Sequence, residues 1–345
     1  MTNQLIGLVT STGYASKIAQ DVQDSLDIEN IEFDIKSKQF IEKASNLADI
    51  YEAVEEMIDN EKWSKAIIMT DLPLFDNNRT IAVDINNDYN ISMISLPAFG
   101  PIFISKKLKE TIENLVYQMN ETENDIDLYK DKTTKESNIK VRKDRKPHER
   151  FLLKDNNFFK LFVTMTLLNN PLNMMSSLSS VVAVAFTTGA FGMVFSTMWN
   201  LSNSFSVERM ILINLVAIIS MTTWIMIAHD LWQTTNNKDE KEIIRLYNLT
   251  TLSTLTISII TFYIILYLMF LIASIILLPS EFLPSQITVI ETDKAGLTVY
   301  LRIAWFAASI STFAGAIGAG LESRNKIRES TYGFRHYRAQ NTRED

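Results

Sequence analysis

The sequence predicts a two-part chain: a Rossmann-like α/β domain with a mainly parallel sheet, then a bundle of four transmembrane α-helices. Three observations carry that expectation. Over residues 1–135, short apolar runs alternate with segments of helical period, the pattern of a parallel sheet covered by helices. Residues 178–321 hold long, almost charge-free stretches, each near the ~20 residues that cross ~30 Å of hydrocarbon. Lys and Arg gather on alternate sides of those stretches, as a multi-pass topology requires.

In the α/β part, Gln4–Thr10 is an apolar strand and Ser11-Thr12-Gly13 a turn. Tyr14–Leu26 has helical spacing through Ile18, Val22 and Leu26. Ile31–Ile35 alternates as a strand. Asn46–Asn60 puts Leu47, Ile50, Val54 and Ile58 on one helix face. Lys65–Thr70 is a buried strand ending at Asp71-Leu72-Pro73, and Thr80–Asp84 and Ile91–Leu96 are further strands. Ser105 is placed to cap a helix running to Met119. Residues 136–177 form a charged linker and a membrane-interface element. Within it, the runs on either side of Asp155-Asn156-Asn157 suit a β-hairpin or an amphipathic helix equally, because short apolar runs do not separate the two.

Four spans follow: Leu178–Trp199, Met210–Ala228, Leu249–Leu278 and Leu297–Leu321, the third stopped by Pro279. Basic residues crowd Lys140–Lys154 before the first span, Lys238–Arg245 after the second, and the tail 322–345. The loops Asn200–Arg209 and Pro279–Gly296 hold only Arg209 and Lys294. The positive-inside rule then puts the α/β domain, the middle loop and both termini in the cytosol of a protein of the cell membrane. Trp199, Trp224, Trp232, Tyr247 and Tyr300 are placed as interfacial anchors. Gly189, Gly192, Gly315, Gly318 and Gly320 let helix backbones approach, within the bundle or between copies in a homo-oligomer. Arg302 is the one charge inside a span. It either snorkels to the outer interface or meets an anionic ligand or lipid head group. No helix shows an acidic or polar stripe or a break, which puts a transporter last among the readings.

Composition removes other chemistries. There is no cysteine, so thiolate nucleophiles, disulfides and cysteine metal sites are out. The three histidines are far apart, so no metal site is expected, and a net charge of −7 disfavours nucleic acid as a partner. Mean hydropathy is +0.04, an average over two unlike halves. Met1–Gly13 lacks the basic and apolar regions of a signal peptide.

In a parallel α/β sheet, ligands bind at the carboxyl ends of the strands. Three loops fall there: Thr10-Ser11-Thr12-Gly13, Asp71–Asn78, and Pro97-Ala98-Phe99-Gly100-Pro101. The first offers hydroxyls and backbone N–H groups to an anion, or simply caps the following helix. Asp71 holds a ligand hydroxyl, a cation or a proton, or else caps a turn with Asn77 and Asn78. Neither GxGxxG nor GxxxxGK[ST] occurs. An acid/base enzyme would have to draw on Asp71, Asp76, Asp84, Tyr14 or Lys17, since no histidine precedes His148.

Several strings together carry a resemblance: Thr70-Asp71-Leu72-Pro73-Leu74-Phe75, Ile94–Gly100, Thr188-Gly189-Ala190-Phe191-Gly192, Trp224–Trp232, Ala314–Glu322 and Thr331-Tyr332-Gly333-Phe334-Arg335. They resemble an uncharacterised membrane-protein family of Gram-positive bacteria, over nearly the whole chain. Members often carry the label 5,10-methylene-tetrahydrofolate dehydrogenase. That label implies an α/β nucleotide-binding domain, a Tyr-x-x-x-Lys element and a glycine-rich NADP loop. Here Tyr14-Ala15-Ser16-Lys17 is one residue short of that spacing, and residues 101–140 contain no glycine.

The leading expectation is a membrane-anchored sensor or adaptor whose cytosolic domain binds a small anionic ligand or a protein. A membrane-associated enzyme acting on a folate or nucleotide is second and a transporter third. No cofactor is specified by the sequence.

Overall fold

The computed structural model describes residues 4–11, 14–38, 47–76, 79–120, 139–143, 148–153, 157–176, 179–235, 241–290 and 292–319. Thr12, Gly13, Asn77, Asn78, Gly320 and the tail 322–345 lie outside them. The chain divides into two compact units, with the boundary between Asn169 and Asn170.

The first unit is built on β1 (Gln4–Thr10), α1 (Tyr14–Gln23), β2 (Ile31–Ser37), α2 (Leu47–Glu61) and β3 (Lys65–Thr70). These are followed by β4 (Leu74–Asp76), β5 (Arg79–Asn86), β6 (Ile91–Ser95) and α3 (Ile104–Asn120). The strands β2, β1, β3 and β6 lie side by side in parallel. Strict alternation explains how both faces are covered. Ile6, Leu8, Ile67, Met69 and Ile94 join Ile18, Val22, Leu108 and Ile112 of α1 and α3 in one core. Leu5, Val9, Ala66, Ile68, Ile91 and Met93 face Ile50, Tyr51 and Val54 of α2 in another. Strands buried on both sides must be continuously apolar, as the runs in β1 and β3 are.

The sheet is mixed, which corrects the expectation of a mainly parallel one. β5 pairs antiparallel with β6, and β4 folds back on β5. The outer edge comes from the segment read as a charged linker. There β7 (Ile139–Lys143) and β8 (His148–Leu153) form an antiparallel pair, and β8 joins β5. The aromatic run after Asp155-Asn156-Asn157 is a helix, α4 (Phe158–Leu168), capped where the Asn157 side chain accepts from the Lys160 N–H at 3.1 Å. Its Leu161, Met165 and Leu168 are buried, and Leu168 sits in the α1/α3 core. The α/β unit therefore runs to Asn169 and not to residue 135. Two boundaries also move: α1 stops at Gln23, and Ser105 lies inside α3, which begins at Ile104 after Phe103 with φ 57°.

The second unit holds α5 (Pro171–Ser176), α6 (Ser179–Gly192), α7 (Ser196–Ser204), α8 (Val207–Ala228), α9 (Lys241–Leu277), α10 (Leu283–Gln286) and α11 (Leu297–Ala319). The helices α8, α9 and α11 are each long and apolar enough to cross a membrane. Where one first span was expected over Leu178–Trp199, α6 and α7 meet at 93°, so among the described residues three helices are long and apolar enough to cross a membrane, or four if the bent pair is one span. The central helix is α11, packed on α6, α7, α8 and α9. Gly189 admits Phe270 and Ser311 where a methyl would overlap both, and Gly315 and Gly318 face Ala185 and Val184 of α6. Gly192 meets Met198 at ordinary contact distance.

Three expectations about side chains change. Trp199, Tyr247 and Tyr300, expected as interfacial anchors, do not present their rings to the surroundings. They are buried in the bundle, with Trp199 Nε1 donating to Met193 O at 2.8 Å and the Tyr300 hydroxyl to Leu278 O at 2.8 Å. Trp224 and Trp232 are exposed. A polar stripe does exist: Thr250, Thr251, Thr254 and Ser258 are buried along one face of α9, and Ser258 Oγ donates to Pro171 O at 2.7 Å, tying α5 to α9. Hydroxyls that bond back to their own helix hide easily in an apolar count. Arg302 does not reach for solvent. Its guanidinium donates to Ser202 O at 3.1 Å and to Phe205 O, closing the end of α7.

The loops expected on one side do meet. The Asn200 amide donates to Gln286 O at 2.5 Å and accepts from Thr288 N–H at 3.1 Å. At the opposite ends of the helices, the ring Nε2 of His229, after α8, lies 3.0 Å from Ala319 O at the end of α11.

Candidate functional site

The carboxyl ends of β1, β3 and β6 come together through side-chain bonds. Ser11 Oγ donates to Asp71 Oδ1 at 3.0 Å and accepts from Asp71 N–H at 3.4 Å. Ser95 Oγ donates to Leu72 O at 3.0 Å, and Leu72 N–H donates to Thr70 Oγ1 at 3.1 Å. The loop after β3 is thus fastened to β1 on one side and to β6 on the other. Ser11 and Asp71 are almost completely buried, which suits a structural clasp better than a group offered to solvent. Thr10, also fully buried, has the parity of the α1/α3 face, and its Oγ1 has no hydrogen-bond partner. Asp84 makes a comparable pair on the other face of the sheet, where the Tyr51 hydroxyl donates to its Oδ2 at 2.7 Å.

The loop after β6 is different. Leu96–Phe99 is a buried 3-10 turn, and Gly100 leaves it with φ 81°, a conformation that favours glycine. Here two lysines from distant sequence converge. Lys107, one turn into α3, donates from Nζ to Phe99 O at 2.9 Å. Lys160, from the start of α4, lays its aliphatic stem against Gly100 so closely that a methyl on Gly100 would overlap it. Burial lowers the Lys107 pKa below the ordinary 10.5, and the Lys160 charge lowers it further. Neither lysine has a carboxylate within ion-pairing distance among the described residues. Their helical neighbours Lys106 and Lys109 do, with Glu110 and Glu113. Ile102 and Phe103, which follow the corner, and Phe158 and Phe159, which precede Lys160, are all exposed.

Of the residues singled out from sequence, Ser11 and Asp71 are brought together as a clasp, and Pro97 and Gly100 form the corner that the lysines meet. Thr12 and Gly13 lie outside the described residues. Lys107 and Lys160 were not legible beforehand. They stand 53 positions apart on two different helices, and no motif joins them. Two ammonium groups at one backbone corner, with no ion pair among the described residues, can hold the phosphate or carboxylate of a ligand, since a bound anion would relieve their mutual repulsion. Among the described residues, no three His, Asp or Glu side chains are grouped so as to hold a metal ion. Compared with protein-family models, with curated proteins and with solved structures, the chain finds no match.

Proposed function

We propose that the chain is a membrane-anchored sensor or adaptor: a multi-pass protein of the cell membrane with both termini cytosolic, whose Rossmann-like domain binds a small anionic ligand at the carboxyl edge of its sheet. The observation that carries this reading is the convergence of Lys107 and Lys160, neither ion-paired among the described residues, on the Phe99–Gly100 corner. The membrane location rests on the three long apolar helices and the bent pair, and the orientation on the distribution of Lys and Arg.

The test is a thermal-shift series on the full chain in detergent with inorganic phosphate, nucleotides, NADP, folates and di- and tricarboxylates. A saturable rise in Tm with one class is expected, abolished in Lys107→Gln/Lys160→Gln. A series in which no anion shifts the protein, or in which the double variant shifts as much, would remove the reading.

An enzyme acting on a folate or nucleotide is the competing reading of the same corner, since such substrates carry the carboxylates or phosphates that the lysines would hold. Turnover of a stabilising ligand by the purified chain would favour it. The bent α6–α7 pair and the buried hydroxyls of α9 are the features that favour a transporter. Ligand flux into liposomes, driven by a gradient, would bring that reading forward.

A further inference from the structure

A second charged site lies in the helical unit and is independent of the reading above. The helix α9 has 37 residues, about 55 Å at 1.5 Å per residue, while ~30 Å of hydrocarbon needs ~20. Its polar first turns therefore stand at or beyond a membrane boundary. Beside them runs the segment that leaves α8, turning at Asp230 with φ 50°. Asn248 of α9 holds this segment as a strand partner would. Its Oδ1 accepts from Gln233 N–H and its Nδ2 donates to Gln233 O, both at 2.9 Å.

Between the two lies a cleft of roughly 350 Å³, whose walls include Trp232, Gln233, Lys241, Ile244, Arg245 and Leu249. Lys241 and Arg245 are one helical turn apart and share a face. Neither forms an ion pair or hydrogen bond among the described residues. The side-chain nitrogen of Gln233 is shielded from solvent and has no hydrogen-bond partner. Trp232, 58% exposed, stands at the cleft with an indole suited to an interface. Ile244 and Leu249 supply apolar wall. Two cations without an ion pair among the described residues and a spare amide donor, set against apolar and aromatic surface at the end of a span, match an anion that carries hydrocarbon.

We propose that this cleft binds the phosphate of an anionic phospholipid head group, with Lys241, Arg245 and the Gln233 amide on the phosphate oxygens and the apolar wall against the chains. The full chain would be reconstituted in nanodiscs of phosphatidylcholine containing increasing phosphatidylglycerol, and the lipid that co-purifies after detergent extraction counted by native mass spectrometry. Phosphatidylglycerol is expected to be retained over phosphatidylcholine, and retention should fall on the order of tenfold or more in Lys241→Gln/Arg245→Gln. Two variants keep the test sound. Lys241→Arg/Arg245→Lys preserves charge and should retain lipid. Arg209→Gln removes a cation stacked on Phe205 near the other end of α8 and should leave retention unchanged. Equal retention in the glutamine pair and the native chain would overturn the proposal. So would displacement of the lipid by millimolar inorganic phosphate or glycerol phosphate, which would mark a site for a soluble anion.

Discussion

Replacing Arg302 with methionine keeps most of the side chain's length and apolar stem while deleting its donors. In the native protein the guanidinium closes α7 by donating to Ser202 O and Phe205 O. Those carbonyls belong to the last turn and C-cap of a short helix, where acceptors have no intrahelical partner and a cation is favoured. The same corner is packed by Phe205 against Phe306, edge to face at 5.6 Å, and begins α8 through the Ser206 cap on Arg209 N–H. A bond to a charged donor contributes about 1.5–3 kcal/mol, and the guanidinium is only partly buried, so the loss should be about 2–4 kcal/mol for the pair. Arg302→Lys should recover only part of it, because one ammonium cannot reproduce the two-pronged geometry. Unfolding of the full chain in detergent, followed by tryptophan fluorescence, would report this, since Trp199 lies in α7. A side chain that merely snorkels would give Lys equal to Arg and Met nearly as stable. That pattern would refute the clamp.

Three further outcomes follow from the same geometry. Gly189→Ala should destabilise the bundle by about 1–3 kcal/mol, because its methyl would overlap Phe270 and Ser311, whereas Gly192→Ala should be tolerated; paired melting curves decide it. Lys107 should leave a signature in pH. Its folded pKa is lowered by burial first and by Lys160 second, so the unfolded chain holds the proton more tightly. The cost is present in full at neutral pH and is relieved as pH rises through the lowered value towards 10.5, so Tm should gain in that window and the gain should vanish in Lys107→Met. Anion affinity should weaken over the same window. Finally, a fragment of residues 1–169 should unfold cooperatively by circular dichroism, while 1–135 should not. The shorter piece loses β7, β8 and the buried Leu161, Met165 and Leu168, each contributing roughly 1.5–3 kcal/mol.

The parts legible in the sequence are those where one physical signal dominates. β1 and β3 are continuous apolar runs because both faces are covered, and α8 and α11 are close to the spans drawn from hydropathy. The parts that were missed had mixed signals. Ile139–Lys143 carries lysine and arginine in a five-residue run, the composition of a linker but also of a protected edge strand. Phe158–Leu168 is apolar nearly all round, so periodicity could not separate strand from helix; the Asn157 cap and the packing of Leu168 decide for helix. The bend between α6 and α7 has no proline, and the apolar run continues through Met193, Val194 and Phe195. In the candidate site, Asp71 stood out because it ends a strand, yet its bond to Ser11 makes it a clasp. The lysine pair exists only through the docking of α4 on the turn after β6, a tertiary event that local patterns do not encode.

An anion held at the Phe99–Gly100 corner between Lys107 and Lys160 would shield both amines at once. The most direct measurement is reductive methylation of the full chain in nanodiscs, with and without a saturating mixture of nucleotides, folates and carboxylates, read lysine by lysine by mass spectrometry. Lys107 and Lys160 should be protected together by the anions, while Lys106 and Lys109, already paired with glutamates on the same helix, should label at unchanged rates. Uniform labelling of all four lysines with and without anions would contradict the account.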